Sequence, residues 1–164
     1  MLRDPNLVPL SRQHQHALAL CVRIHRAALA TAQELKAWQA EIEQHVEQEI
    51  QYHFAAEEAH VFPLARRYPE LHGLVEELLE EHAKLRSSFV EAKARTLDAP
   101  RLRKFADMLS MHIRKEEGQL FERMQQRVSQ EEMRSLGELI DRSLGAAPQV
   151  CITPTEQTLK SGGT

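Results

Sequence analysis

The chain has 164 residues, enough for one domain with a real core, and is 42 % hydrophobic and 27 % charged, as ordinary soluble globular proteins are. Its formal net charge of −3 gives no bulk basic character, which argues against nucleic acid as a partner. Only two cysteines occur, so a disulfide framework is not expected, and no stretch approaches the roughly 18 apolar residues that span a bilayer. The N-terminus lacks a basic-then-apolar signal pattern, and a cytoplasmic, reducing location is expected with no membrane contact.

In chain order the sequence reads as helices throughout. Glycine and β-branched residues are scarce, and Ala, Leu, Glu, Gln and Arg dominate. A first helix is expected from Ser11 to about Ala30. A second starts at Thr31, with Glu34 three residues on in a capping-box pattern, and runs to about Arg67, with Pro63 ending or kinking its last turns. A third follows Pro69 and runs to about Arg95. Asp98-Ala99-Pro100 opens a fourth, which runs to about Val128. Ser129 with Glu132 caps a short fifth helix closing at Gly145. Residues 146–164 read as a flexible, irregular tail. Four long helices with short connections predict an all-α, antiparallel up-down-up-down bundle over residues 1–145. Apolar stripes spaced three or four apart support it, among them Ile42, Ile50 and Val61 on the second helix and Leu78, Leu85 and Phe89 on the third.

One word occurs twice. His53-x3-Glu57-Glu58-x3-Phe62 returns 59 residues later as His112-x3-Glu116-Glu117-x3-Phe121. A His and a Glu four apart share one helix face. Set against the stripes, His53, Glu57, His112 and Glu116 point inward. So does His82, four after Leu78, and His14, four from both Leu10 and Leu18. Counted from the helix junctions at about 1.5 Å per residue, the four histidines fall within one or two turns of the same height. Unsatisfied buried polar groups cost about 1–3 kcal/mol each, so six together call for a shared partner, and a metal would serve. Six mixed imidazole and carboxylate donors exceed the four of a structural zinc and suit two metal ions, with the carboxylates bridging and the histidines capping. Fe, Mn and Zn all accept such donors.

The remaining histidines are expected elsewhere: His16 and His72 at the surface, His25 inward but structural, His45 and His60 at the stripe's edge, with His60 the better substitute ligand. Glu58 and Glu117 lie 100° further round and either support a ligand or are simply solvated, the second reading being favoured.

The chain resembles the hemerythrin-like (HHE cation-binding) family over about residues 7–128. The words that carry the resemblance are Leu-Ser-Arg-Gln-His14, His53-x3-Glu57-Glu58-x3-Phe62-Pro63, Glu81-His82 and His112-x3-Glu116-Glu117-x3-Phe121. It implies His14, His53, His82 and His112 as terminal ligands and Glu57 and Glu116 as bridges of an oxo- or hydroxo-bridged pair of iron ions. It also implies binding of, or reaction with, O2, NO or peroxide. Oxygen carriers of that family have a fifth histidine one turn after the third-helix one. Arg86 stands there, which argues against plain oxygen carriage and predicts either an open or water-filled site or an unusual residue as the ligand. An iron-handling or regulatory metal-binding bundle without turnover is the alternative. A ferritin-like centre is weaker, because the partner of Glu57-x-x-His60 on the fourth helix has Gln119 in place of histidine. A haem bundle lacks Cys-x-x-Cys-His.

Overall fold

The computed structural model describes residues 2–148, 152 and 154–161. It is all-helical, and no strand occurs among the described residues. Helix α1 is Val8–Arg26. It begins three residues before Ser11, because Pro9 fits the first turn, where its missing N–H has no partner to lose. Helix α2 runs unbroken over residues 32–65, opened by the expected box in which Thr31 and Glu34 cap each other. Helix α3 is His72–Lys93 and α4 covers residues 99–127, started by the Asp98 carboxylate accepting from the Arg101 amide at 2.9 Å. Helix α5, Gln130–Gly145, is capped by Ser129 and Glu132 as expected.

Pro63 does not end α2. It sits in the regular stretch Phe62–Ala65, directly after a wider π-helical turn, Glu57–Val61. A second such turn occupies Val46–Ile50, and α4 contains one at Glu116–Phe121. Turns of this kind are inserted single residues that recur at functional sites. Here Glu57 and Glu116 each stand first in one.

The core is split. One apolar cluster includes Ala17, Ile42, Phe54, Leu85, Phe105 and Leu109, and the other includes Leu10, Val61, Leu78, Leu120, Phe121 and Leu136. Along α1 the chain passes from Leu10 in the second cluster to Ala17 in the first, along α2 from Phe54 back to Val61, along α3 from Leu78 to Leu85, and along α4 from Leu109 to Leu120. The residues between these pairs are His14, Glu57, His82, and His112 with Glu116. A polar layer is thus sandwiched between two apolar ones. Trp38, Phe62, Phe105 and Phe121 are the largest side chains buried in full.

Helix α5 packs across α2 and α1 and closes the second cluster with Met133, Leu136 and Ile140. In the stretch expected to be an irregular tail, Glu156–Ser161 form a short helix, α6, against Ala32–His45, with Thr158 fully buried. The tail expectation at 149–151, 153 and 162–164 lies outside the described residues. No helix among the described residues is long and apolar enough to cross a membrane.

Gly137 lets α5 approach the N-terminal loop. A Cβ there would lie 2.5 Å from Asn6 Oδ1 and 2.8 Å from Asn6 Cβ. Alanine gains about 1 kcal/mol of helix propensity over glycine, but overpacking costs about 1–3 kcal/mol. Asn6 cannot swing away freely, since its side chain and backbone amide both bond Asp4. Gly137→Ala is therefore expected to lower stability by about 1 kcal/mol, read from urea unfolding, where an exposed helical glycine would show a gain.

Candidate metal centre

The polar layer brings His14, His53, Glu57, His82, His112 and Glu116 together, all buried. They form two groups that could each hold a metal ion: His14 with His53, and His82 with His112, each sharing Glu57 and Glu116. Within each group one donor atom per residue lies within 4.8 Å of all the others. His14 Nε2 is 3.1 Å from Glu116 Oε2, and His53 Nε2 is 3.1 Å from Glu57 Oε1. On the other side His82 Nε2 is 3.4 Å from Glu57 Oε2, and His112 Nε2 is 3.3 Å from Glu116 Oε2.

The orientation of the rings is fixed from behind. The Nδ1–H groups donate outward: His14 to Glu117 at 2.6 Å, His82 to Glu58 at 2.7 Å, His112 to Glu81 at 2.8 Å and His53 to Gln13 at 2.8 Å. A carboxylate only accepts, so each Nδ1 bonded to one carries the proton and Nε2 faces the centre. Outer acceptors of this kind set ring tautomer and raise ligand basicity. Three of the four acceptors are themselves gripped by a cation. Arg3 binds Glu117 at 2.6 Å, Arg86 binds Glu58 at 2.7 Å, and Lys115 binds Glu81.

Glu58 and Glu117 are therefore not merely solvated, as the sequence reading favoured. The 100° offset carries each to the histidine of a neighbouring helix. Arg86 does not reach the centre. Its guanidinium turns to Glu58 and lies 5.4 Å over the Phe54 ring, which stacks on His82 at 3.7 Å. The phenylalanines of the two words have matching tasks: Phe62 lies 5.4 Å from the His82 ring and Phe121 stacks 5.7 Å from His14. Sequence reasoning assigned no role to Gln13, Glu81, Phe54, Phe62 or Phe121. The doubled Glu-Glu and the shared Phe of the repeat were the available signal.

The other histidines stay away. His60 donates to or accepts from Ser143 at 2.9 Å, facing α5 rather than the centre. His72 bonds the Arg66 carbonyl. His16 is exposed and pairs with Glu49. His25 is not inward, because Ile24 fills the core in that turn, and it lies 3.2 Å from Asp107 at the surface. His45 is buried apart from the centre, and that burial pushes its pKa down to about 4.

Charge in the layer is tightly balanced. Burial disfavours the His14 imidazolium, but the neighbouring carboxylates of Glu116 and Glu117 outweigh it and raise the pKa from 6.5 to about 9. For His112, burial is likewise outweighed, chiefly by the carboxylate of Glu116, and the pKa rises to about 10. Burial also opposes ionisation of Glu57 and Glu116, yet the facing histidines hold both carboxyls below the usual range, Glu116 well below. Glu57, Glu58, Glu81, Glu116 and Glu117 thus face Arg3, Arg86, Lys115 and the raised imidazoles of His14 and His112.

The donor set fits metal ions on one further observation. Both oxygens of Glu57 and both of Glu116 are buried without any hydrogen-bond partner. Carboxylates stripped of water and donors are costly, and four such atoms facing four Nε2 atoms are a cage for cations.

Residues 8–124 match the family model of the hemerythrin HHE cation-binding domain. The chain belongs to that family. No curated protein and no solved structure matches it. In this HHE domain the matched span takes in all four helices of the polar layer and every residue of the two donor groups.

Two outcomes are expected. Glu58→Ala, Glu81→Ala and Glu117→Ala should each weaken metal binding by about 10–100-fold, measured by chelator competition, and Gln13→Ala should weaken it least, since its acceptor is uncharged. The metal-free protein should also lose stability as pH rises. A histidine whose folded pKa is raised stabilises fully below its unfolded value of 6.5, and that contribution is lost as pH climbs through about 9 for His14 and about 10 for His112. Thermal unfolding of the metal-free protein at pH 6 and pH 9 checks this. Metal affinity should tighten over the same range, because the ions displace those protons.

Proposed function

We propose that this HHE domain holds a pair of iron ions and binds a small neutral ligand, O2, NO or hydrogen peroxide, beside them. The observation that carries the reading is the set of four unpartnered oxygens of Glu57 and Glu116 facing four imidazole nitrogens in two groups. Two carboxylates common to both groups suit bridging, and two histidines per group suit capping. Imidazole with carboxylate is a borderline donor set that accepts iron, manganese and zinc. Iron is proposed because a redox-active ion gives such a buried pair a use that a structural site lacks. When bound, the pair would supply one-electron redox change and a vacant coordination position.

The chain's own residues do the rest. Gln13, Glu58, Glu81 and Glu117 aim the four rings. Phe54 and Phe121 cover His82 and His14 and keep water out. A cavity of about 20 Å³ touches His14, His53, His112 and Glu116, with Ala17, Ile50, Phe54, Leu109 and Ile113 as apolar walls. A single water-sized probe needs about 10–15 Å³, so the hole admits one very small molecule. Neither His82 nor Arg86 lines it, so we place the ligand beside His14, His53 and His112 rather than at the position of the absent fifth histidine. A cytoplasmic location is in keeping with the buried, free Cys21, whose thiol burial pushes up to about 12.

Metal analysis and optical spectra test this. The protein is expected to hold two irons per chain and to absorb in the near ultraviolet without a Soret band. Replacing both Glu57 and Glu116 with Ala should abolish the pair while circular dichroism stays largely helical. One zinc and no iron per chain would favour the regulatory bundle instead.

A further inference from the structure

The small cavity beside the centre does not end in the core. Among its walls is Glu49, and Glu49 also lines a wide surface cleft of about 390 Å³. The cleft lies between α1 and α2, with Ile152 and Pro154 on its outer side. Glu49 is the one side chain among the described residues common to both hollows. Its position follows from α2. It belongs to the π-helical turn Val46–Ile50, where Ile50 faces the cavity and Glu49 is turned to the cleft's floor. The carboxylate is held there by His16, whose Nδ1 lies 3.0 Å from Oε2 and 3.2 Å from Oε1. His16 is exposed, with 60 % of its side chain in solvent, whereas Glu49 retains 15 %. The pair is thus a bolt between solvent and the inner cavity.

The other charged groups of the cleft do not cancel Glu49. Arg23 is spent on the fully buried Glu41, bonding both of its oxygens, and so leaves no free positive charge. An anion moving inward meets a carboxylate at the residue that lines both hollows, and apolar walls behind it. A neutral molecule meets neither obstacle.

We propose that Glu49, bolted by His16, is the gate and charge filter through which small molecules reach the metal centre, passing neutral diatomics and retarding anions. The inference rests on the proposed function and adds to it the route, the residue and the class of ligand admitted. Glu49 is a specificity residue here and touches no candidate ligand of the metal.

Stopped-flow association of azide, an anion, and of NO, a neutral molecule, with the iron-loaded protein tests it. Glu49→Gln removes the charge and keeps the size. It should raise the association rate of azide about tenfold, leave iron content unchanged, and shift NO rates by less than about twofold. His16→Ala frees the carboxylate and should speed both ligands. Equal rate changes for azide and NO in Glu49→Gln, or none for either, overturn the filter. A loss of iron overturns the gate as well, since Glu49 would then support the metal site and not the path to it. If the wild-type protein holds two irons yet shows no spectral response to either ligand, the proposed function falls with the gate. If it responds and Glu49→Gln does not differ, only the gate falls.

Discussion

Two buried carboxylates faced by histidine rings sit at the middle of this molecule, and the rest of the structure answers to them. Glu57 and Glu116 are fully buried, and their four oxygens are unpartnered within the protein. Removing one ion from water costs several kcal/mol even after relaxation, a large share of the few to fifteen kcal/mol that hold a domain together. Only positive charge at short range repays this. In the metal-free chain His14 and His112 supply it as imidazolium. With ions present, the same nitrogens give up their protons and become donors. The site is therefore bistable in charge but constant in geometry, because the outer bonds at Nδ1 hold the rings in either case.

That constancy has to be built, and the split core is how. Apolar clusters above and below the polar layer clamp each helix on both sides of its ligand-bearing turn. A side chain in such a layer cannot slide along the bundle axis without pushing a charged group into an apolar cluster. On both helices a π-helical turn begins at the inward Glu, Glu57 or Glu116, and the next residue, Glu58 or Glu117, is carried sideways by the helical offset.

Much of this was legible in the sequence, for a physical reason. Ligand-bearing residues share the helical period with the core, so the stripes that place Leu10, Leu78 and Met108 also place His14, His82 and His112. Thr31, Asp98 and Ser129 announce their helix starts because capping is a local interaction between residues three apart. The outer shell was not legible, because it depends on how neighbouring helices face each other. Glu58 reaches His82 from another helix, and Glu117 reaches His14 across 103 positions. Charged residues at a stripe's edge look solvated until the partner helix is in place. His25 failed for a related reason: near a helix end, a neighbour such as Ile24 can take the core position that the period assigns.

The repeat also explains where the two halves of the centre differ. The residue before His14 is Gln13, and it holds His53; the residue before His82 is Glu81, and it holds His112. Glu58 and Glu117 stand in the same relation to His82 and His14. The pattern is two-fold throughout, except that one acceptor is an amide where its counterpart is a carboxylate backed by Lys115. An imidazole that donates to a neutral amide is a weaker base than one that donates to a carboxylate, so the His53 side gives less electron density to its ion. The cavity touches both histidines of that side and His112 of the other, and Phe54, which packs flat against His82, is one of its walls. Were ions bound, the one held by His53 would have the poorer donor set and would keep more Lewis acidity for a ligand entering from the cavity beside it. Gln13, standing where the internal symmetry would place a second Glu81, is thus the feature that would make the two halves chemically unequal.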